Sequence, residues 1–363
     1  MIRTARFLKT FLRGGANRGI RVEETTIDVA GETRDALLYL PPGRGPSPGW
    51  MVLQGLTVHG RTHPAMTRFA RSLAASGAVV LVPEVPSWSA LRIDVTAARE
   101  TLSAGVLHLD QRPEVMRGHV GAMGFSFGAT QAVMAAADPA LHGSLRAVLG
   151  FGGYGSLRHA LRFLFTGEHE WRGERFHQDP DPYGRWVVVG NYVTWIAGCE
   201  HMEALARAAH ALAIHAGEFK AWAWDPVYDA KKAELRETLA PDEQRIWDVI
   251  AAPAGTPIDM DAARALADAF ADAALTQDPG LDPRPKLADI RARILLSHGR
   301  QDRLIPFSET LRLVEMMPPG VDVSSTITGL FAHSAAGGLL HPMEWARETS
   351  RFLGLLNRAL GAV

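Results

Sequence analysis

The feature that most restricts the fold of this chain is a recurring unit. A short, almost unbroken apolar run meets a glycine or proline stop, and a stretch with apolar residues at helical spacing follows. Residues 50–53 (Trp-Met-Val-Leu) end at Gly55, and residues 64–76 carry Met66, Phe69, Ala70 and Leu73 on one helical face before Gly77. Residues 78–82 are apolar again and close at Pro83 and Pro86. The pattern then predicts a helix over 96–109, a strand over 119–123, a helix over 129–137 and a strand over 145–149. It returns late in the chain as strand 293–297, helix 308–316, strand 321–327 and a terminal helix over 342–360. A strand that is apolar at every position is buried on both faces. Such strands alternating with helices make a parallel sheet covered on each side. The fold class is therefore α/β, a mostly parallel central sheet flanked by helices. Residues 21–40 alternate polar with apolar and break at Ala30-Gly31-Glu32, a hairpin feeding the sheet, and 41–49 form a loop rich in Pro and Gly.

From about residue 156 to 288 the rhythm fails. Ala-rich helical patterns dominate, clearest over 202–214, 230–239 and 259–275. Trp171, Trp186, Trp195, Trp222, Trp224 and Trp247 all fall here. The expected organisation is a basic amphipathic segment at 1–22, a core from 23–155 and 289–363, and an inserted helical cap at 156–288. A Trp-rich accessory subdomain is the plainer alternative, and tryptophans over a site would suit an apolar acyl or aryl group.

The first 22 residues hold Arg3, Arg6, Lys9, Arg13, Arg18 and Arg21 and no acidic residue, without the apolar core of a secretory signal. Ile2, Phe7, Leu8, Phe11 and Leu12 form one stripe of a helix expected to lie on the domain; a helix of this kind also suits an anionic membrane surface. No later run reaches the ~18 apolar residues of a membrane span. A soluble, cytoplasmic protein is expected. The formal net charge of −1 gives no basic field for nucleic acid and favours a small-molecule partner. The single cysteine, Cys199, excludes an intrachain disulfide and a Cys-based zinc site, and its apolar setting over 193–199 reads as core packing.

The chemistry concentrates at Gly124-Phe125-Ser126-Phe127-Gly128, between the strand at 119–123 and the helix at 129–137. A turn that tight needs small flanking residues, Gly124 and Gly128, and thrusts the central hydroxyl out at the sheet's carboxyl edge. There the positive helix N-terminus favours developing negative charge. A serine hydroxyl needs a base to take its proton and an acid to orient that base. Asp302 follows the strand at 293–297 after a glycine turn and fits the acid. His333, in the loop between the last strand and the last helix, fits the base; His341 competes, but Pro342 turns it away, and His298 lies too close to its own strand end. A tetrahedral oxyanion needs two N–H donors. These are assigned to the backbone of Phe127 and of Leu56, in Gln54-Gly55-Leu56, with Arg61 as second donor if the strand runs on to Val58.

Over about residues 25–155 and 290–360 the chain resembles the α/β-hydrolase superfamily. The elbow and the order Ser126…Asp302…His333 carry the likeness. Relatives usually have His-Gly at the oxyanion turn where this chain has Gln54-Gly55, which leaves the second donor open. The resemblance implies an acyl-enzyme and argues against the dehalogenases of this fold, whose elbow residue is an aspartate. The leading expectation is hydrolysis of a carboxylic ester of a small or medium apolar substrate. Thioesterase, peptidase and acyltransferase activities on the same three residues are alternatives, and a non-catalytic binding protein is a further one. No cofactor is expected. No metal is expected either, since Glu168, His169 and Glu170, with His159 and His177 nearby, are consecutive or scattered and read as a solvated charge cluster.

Overall fold

The structure, a computed structural model, describes residues 2–43, 45–219, 221–330 and 342–363. Ten strands run in chain order as β1 (Arg21–Val29), β2 (Glu32–Leu40), β3 (Ser47–Leu53), β4 (Val79–Pro83), β5 (Val115–Phe125), β6 (Leu145–Phe151), β7 (Glu168–Trp171), β8 (Glu174–His177), β9 (Arg293–Gly299) and β10 (Val323–Thr328). Eight make one sheet in the order β1-β2-β4-β3-β5-β6-β9-β10. Only β2 runs against its neighbours; the pairs from β4 to β10 are all parallel. The β1–β2 hairpin turns through Ala30 (φ 53°) and Gly31 (φ 86°), the two positive-φ positions that a two-residue turn needs to match strand twist.

Strand side chains alternate between two covered faces, which is why the runs read as unbroken apolar sequence. Met51 and Leu53 enter the core beneath the helix Val95–Gln111, with Ala98, Leu102 and Val106. Trp50 and Val52 point the other way, toward Phe69 and Leu73 of the helix Pro64–Ala75 and Leu355 and Leu356 of the terminal helix Pro342–Ala362. The N-terminal helix Ile2–Leu12 lies on this second face. It buries Thr4, Phe7 and Thr10, packs Phe7 edge-on against Phe69, and hydrogen-bonds through Arg3 Nη1 to the Leu360 carbonyl (2.8 Å). Its apolar stripe is narrower than expected, since Ile2 and Leu12 stand exposed.

Between β6 and β9 the described residues form six α-helices with a buried cluster of their own, which includes Phe165, Trp186, Leu212, Trp247 and Phe270. The helices Glu203–Glu218, Asp229–Glu237 and Met260–Gln277 match the expected ones. Leu157–Thr166, Pro182–Tyr192 and Pro241–Ile250, and the β7–β8 hairpin, had no clear sequence signal. No described helix is long and apolar enough to cross a membrane.

Candidate active site

The central strand β5 ends at Phe125 and the helix Phe127–Ala135 begins two residues later. Ser126 makes the whole reversal alone, at φ 54° and ψ −129°. A non-glycine residue holds such a backbone only where its surroundings over-determine it, at a cost of about 1–3 kcal/mol. The surroundings are visible. The Ser126 amide donates to the Phe151 carbonyl (2.7 Å) and its carbonyl accepts from the Ala129 amide (2.9 Å). A Cβ at Gly124 would overlap the Gly128 carbonyl oxygen, and a Cβ at Gly128 would overlap the carbonyl oxygen of Gln54. Both glycines are required by backbone contacts across the turn.

The strand β3 stops at Leu53, so the loop after it begins at Gln54, the first of the two registers considered from sequence. Gly55 packs directly on the elbow: a Cβ there would stand 3.2 Å from Ser126 Cβ. Leu56 and Phe127 line the same cavity as Ser126. Phe127 opens its helix, where a backbone amide has no acceptor four residues back. The alternative donor, Arg61, is committed elsewhere, because its amide (3.3 Å) and guanidinium (2.9 Å) both donate to Glu84 Oε2. Glu84 also accepts from Ser89 Oγ, so one carboxylate at the end of β4 ties down the loop that carries Leu56. Sequence reasoning missed Glu84; its signal is a lone acid at the carboxyl end of an apolar strand. Gln54, standing where relatives have histidine, is buried with neither amide atom hydrogen-bonded among the described residues.

Asp302 is buried after β9, and its Oδ1 accepts from the amides of Leu304 (2.9 Å) and Ile305 (3.1 Å). Leu304 and Ile305 line the Ser126 cavity, which brings the Asp302 loop to the same place as the elbow. His298 lies behind it, with Nε2 donating to the Ile305 carbonyl (2.9 Å) and Nδ1 accepting from Thr310 Oγ1 (2.7 Å). The ring thus ties the turn to the helix Phe307–Glu315, and its Nε2 also stands 3.5 Å from Asp302 Oδ2. His333 and its competitor His341 lie outside the described residues.

The cavity beside Ser126 measures about 130 Å³. The helices Leu157–Thr166 and Pro182–Tyr192 supply much of its wall, through Leu161, Leu164, Tyr183, Val187 and others. The expected tryptophan lining is not found: among the described residues no tryptophan borders the cavity. Trp186 and Trp247 are too large and apolar to stay out of the segment's own core, while Trp195 and Trp222 face solvent.

The groups set aside from sequence behave as follows. The Cys199 thiol is pushed up by burial and by the charges of Glu200 and Asp242, so it is no activated thiolate. The solvated cluster at 168–170 needs correcting for its middle member. Glu168 pairs with Arg264 (2.7 Å), but His169 points inward, stacked on Phe176 and hydrogen-bonded through Nδ1 to Ser308 (3.0 Å). Burial holds its imidazole pKa down to about 4. Alternate strand residues face opposite sides, which separates the two roles. Among the described residues no group of three or more His, Cys, Asp and Glu is placed to hold a metal ion.

No protein-family model matches the sequence. No curated protein matches it either. Solved structures do match. Acylaminoacyl peptidase in complex with Z-Gly-Gly-Phe-chloromethyl ketone aligns over 96% of this chain and 43% of its own, at a TM-score of 0.52 and 11% identity. The uncomplexed acylaminoacyl peptidase of Pyrococcus horikoshii aligns over 97% and 43%, at 0.50 and 13%. The chain thus spans under half the length of these peptidases. A putative dienelactone hydrolase from Klebsiella pneumoniae aligns over 93% and 98%, at 0.47 and 13%. The likeness is one of fold: this chain has the α/β-hydrolase fold.

Proposed function

We propose that the chain is a serine hydrolase that cleaves a carboxylic ester of a small or medium apolar substrate through an acyl-enzyme. Ser126 Oγ attacks the carbonyl carbon while His333 takes its proton, and Asp302 orients His333. The oxyanion accepts hydrogen bonds from the amides of Phe127 and Leu56. Collapse expels the alcohol, which takes the proton from His333, and water then releases the acid by the same steps. The helical segment 156–288 acts as a cap that sets substrate size.

One observation carries this reading: Ser126 holds a positive-φ backbone between β5 and a helix, against the cavity. Strain of that kind at the mouth of a cavity has a use in presenting a nucleophile, and a helix-capping serine has no need of it. Indeed the Ser126 side chain makes no capping hydrogen bond. The cap role is supported by the helices Leu157–Thr166 and Pro182–Tyr192, which wall the cavity.

A fluorophosphonate probe tests the proposal. Wild type should label at one site and Ser126→Ala should not, with loss of 4-nitrophenyl ester hydrolysis. Labelling that persists in the variant, or a folded wild type that neither labels nor hydrolyses, refutes it. Matched amides and thioesters added to the ester panel separate peptidase and thioesterase activity from esterase activity.

A further inference from the structure

We infer that the cavity beside Ser126 binds the acyl half of the substrate, that the part of this half held in it is about the size of one ring, and that it carries a hydrogen-bond acceptor met by the Tyr183 hydroxyl. This rests on Ser126 being the nucleophile. The size follows from volume. A cavity of about 150 Å³ holds benzene, and this one measures about 130 Å³.

The acceptor follows from the three tyrosines in the cavity wall. Tyr154 donates to the Leu281 carbonyl (2.9 Å) and accepts from Gln131 Nε2 (3.3 Å). Tyr192 donates to Asp278 Oδ2 (2.9 Å). The Tyr183 hydroxyl has no protein partner among the described residues, and it belongs to a wall that is largely apolar, with Leu161, Leu164, Val187 and Ile305 among its members. Its ring is half-buried and borders the cavity. Burial and the nearby Asp181 carboxylate both raise its pKa, so it stays a neutral donor. A phenol donor that protein groups leave open at a largely apolar cavity is available to an acceptor on the ligand, which takes the place of water there.

Tyr183 is also firmly held. Its amide donates to Asp181 Oδ1 (3.0 Å), and the Asp181 amide donates to the Arg303 carbonyl (2.7 Å), next to Asp302. The adjacent Gly184 packs so closely that a Cβ would stand 2.7 Å from Leu164 Cδ1. Such a donor selects by position. The acyl half is assigned because it stays on Ser126 through both half-reactions, whereas the alcohol must leave for solvent.

The test uses 4-nitrophenyl esters with one leaving group and matched acyl chains: hexanoate against 4-oxo- and 5-oxohexanoate. Wild type should favour one oxo ester. Tyr183→Phe should lower the oxo-to-hydrocarbon ratio of kcat/KM for that ester about three- to tenfold, the worth of one neutral hydrogen bond. An unchanged ratio, or an equal fall for all esters in a variant that still labels with fluorophosphonate, overturns the inference. So does a ratio that responds only when the oxo group is moved to the alcohol half of acetate esters. In each of these cases labelling and hydrolysis by wild type leave the Ser126 proposal standing. If wild type neither labels nor hydrolyses, both fall together.

Discussion

Replacing Gly128 by alanine places one methyl group where a backbone oxygen stands. The new Cβ would overlap the Gln54 carbonyl oxygen and lie 3.3 Å from both the Gln54 carbonyl carbon and the Leu53 oxygen. No side chain can swing aside, because every obstructing atom is main chain. An ordinary carbon–oxygen approach is ~3.3 Å, so the end of β3 and the elbow must separate by about 1 Å. Overpacking of that size costs about 1–3 kcal/mol of stability. The larger consequence is local. Gln54 is two residues before Leu56, the proposed oxyanion donor, and a misplacement of about 1 Å in a catalytic group costs on the order of 100-fold in rate. The expected result is a folded Gly128→Ala protein with kcat for a 4-nitrophenyl ester down about 100-fold, a smaller change in KM, and a modest loss in urea denaturation. Gly143→Ala is the control, since nothing lies within 4 Å of its Cβ position. If Gly128→Ala keeps kcat within threefold of wild type, the close approach of these two backbones has no part in catalysis and the argument fails.

Other outcomes follow from the same geometry. Glu84→Ala frees the loop anchored at Arg61 and Ser89 and should lower kcat about tenfold with little change in KM, while Glu84→Gln, which keeps an acceptor, should recover part of it; equal effects of the two would remove the loop-anchoring role. Val187→Trp puts an indole into a cavity of about 130 Å³ and should cut activity on hexanoate at least tenfold more than on acetate, and an unaltered chain-length profile would dismiss residues 156–288 as a cap. His169 concerns stability. Its pKa of about 4 in the fold lies below the unfolded ~6.5, so the unfolded chain binds more protons between those values and stability falls as pH drops from about 6.5 to 4. Discounted for its half-buried state, the loss is on the order of 1–2 kcal/mol. His169→Phe should flatten that part of the pH profile in chemical denaturation, and a slope equal to that of wild type would contradict this origin.

The sheet was legible because its signal is local and redundant. Each of β3, β4, β5, β6 and β9 contains an apolar run whose alternate residues go to two covered faces, and a glycine or proline ends most of them. The elbow was legible because the turn needs glycine on both sides for reasons of contact, which leaves a mark in sequence. The helices that wall the cavity left little. Pro182–Tyr192 contains Val187-Val188-Val189, residues stiff at χ1 that suit a strand, and tertiary packing overrides that preference. Leu157–Thr166 is short and starts from a serine that makes no capping hydrogen bond. The tryptophans misled for a related reason. Composition locates aromatic residues in a segment and is silent on which face they take, and here the two largest groups fill the segment's interior while tyrosine and aliphatic residues reach the cavity. Glu84 could not be seen from spacing at all, because its partners Arg61 and Ser89 come from two separate short helical turns, Gly60–Thr62 and Pro86–Ser89.

The Asp302 loop joins two tasks that are usually discussed apart. The carboxylate is held by the amides of Leu304 and Ile305, and the side chains of those same two residues border the cavity that would receive the acyl group. One residue further back, the Arg303 carbonyl holds the amide of Asp181, and Asp181 in turn caps the helix that presents Tyr183. The chain of contacts therefore runs from Asp302 to the cavity wall to the helix Pro182–Tyr192, through two aspartate carboxylates that each accept from main-chain amides and one main-chain hydrogen bond between them. Leu304→Ala tests how tightly these tasks are joined. The substitution keeps the amide that holds Asp302, so kcat on acetate should stay within about threefold. It also enlarges the cavity, so preference should move toward longer acyl groups, and the lost packing should cost about 2 kcal/mol, at the low end for a leucine that is only partly buried. If kcat on acetate instead falls 100-fold with an unshifted acyl preference, the leucine side chain positions Asp302 and takes no part in selecting the acyl group. In that case the wall of the cavity and the support of the acid are separate structures after all.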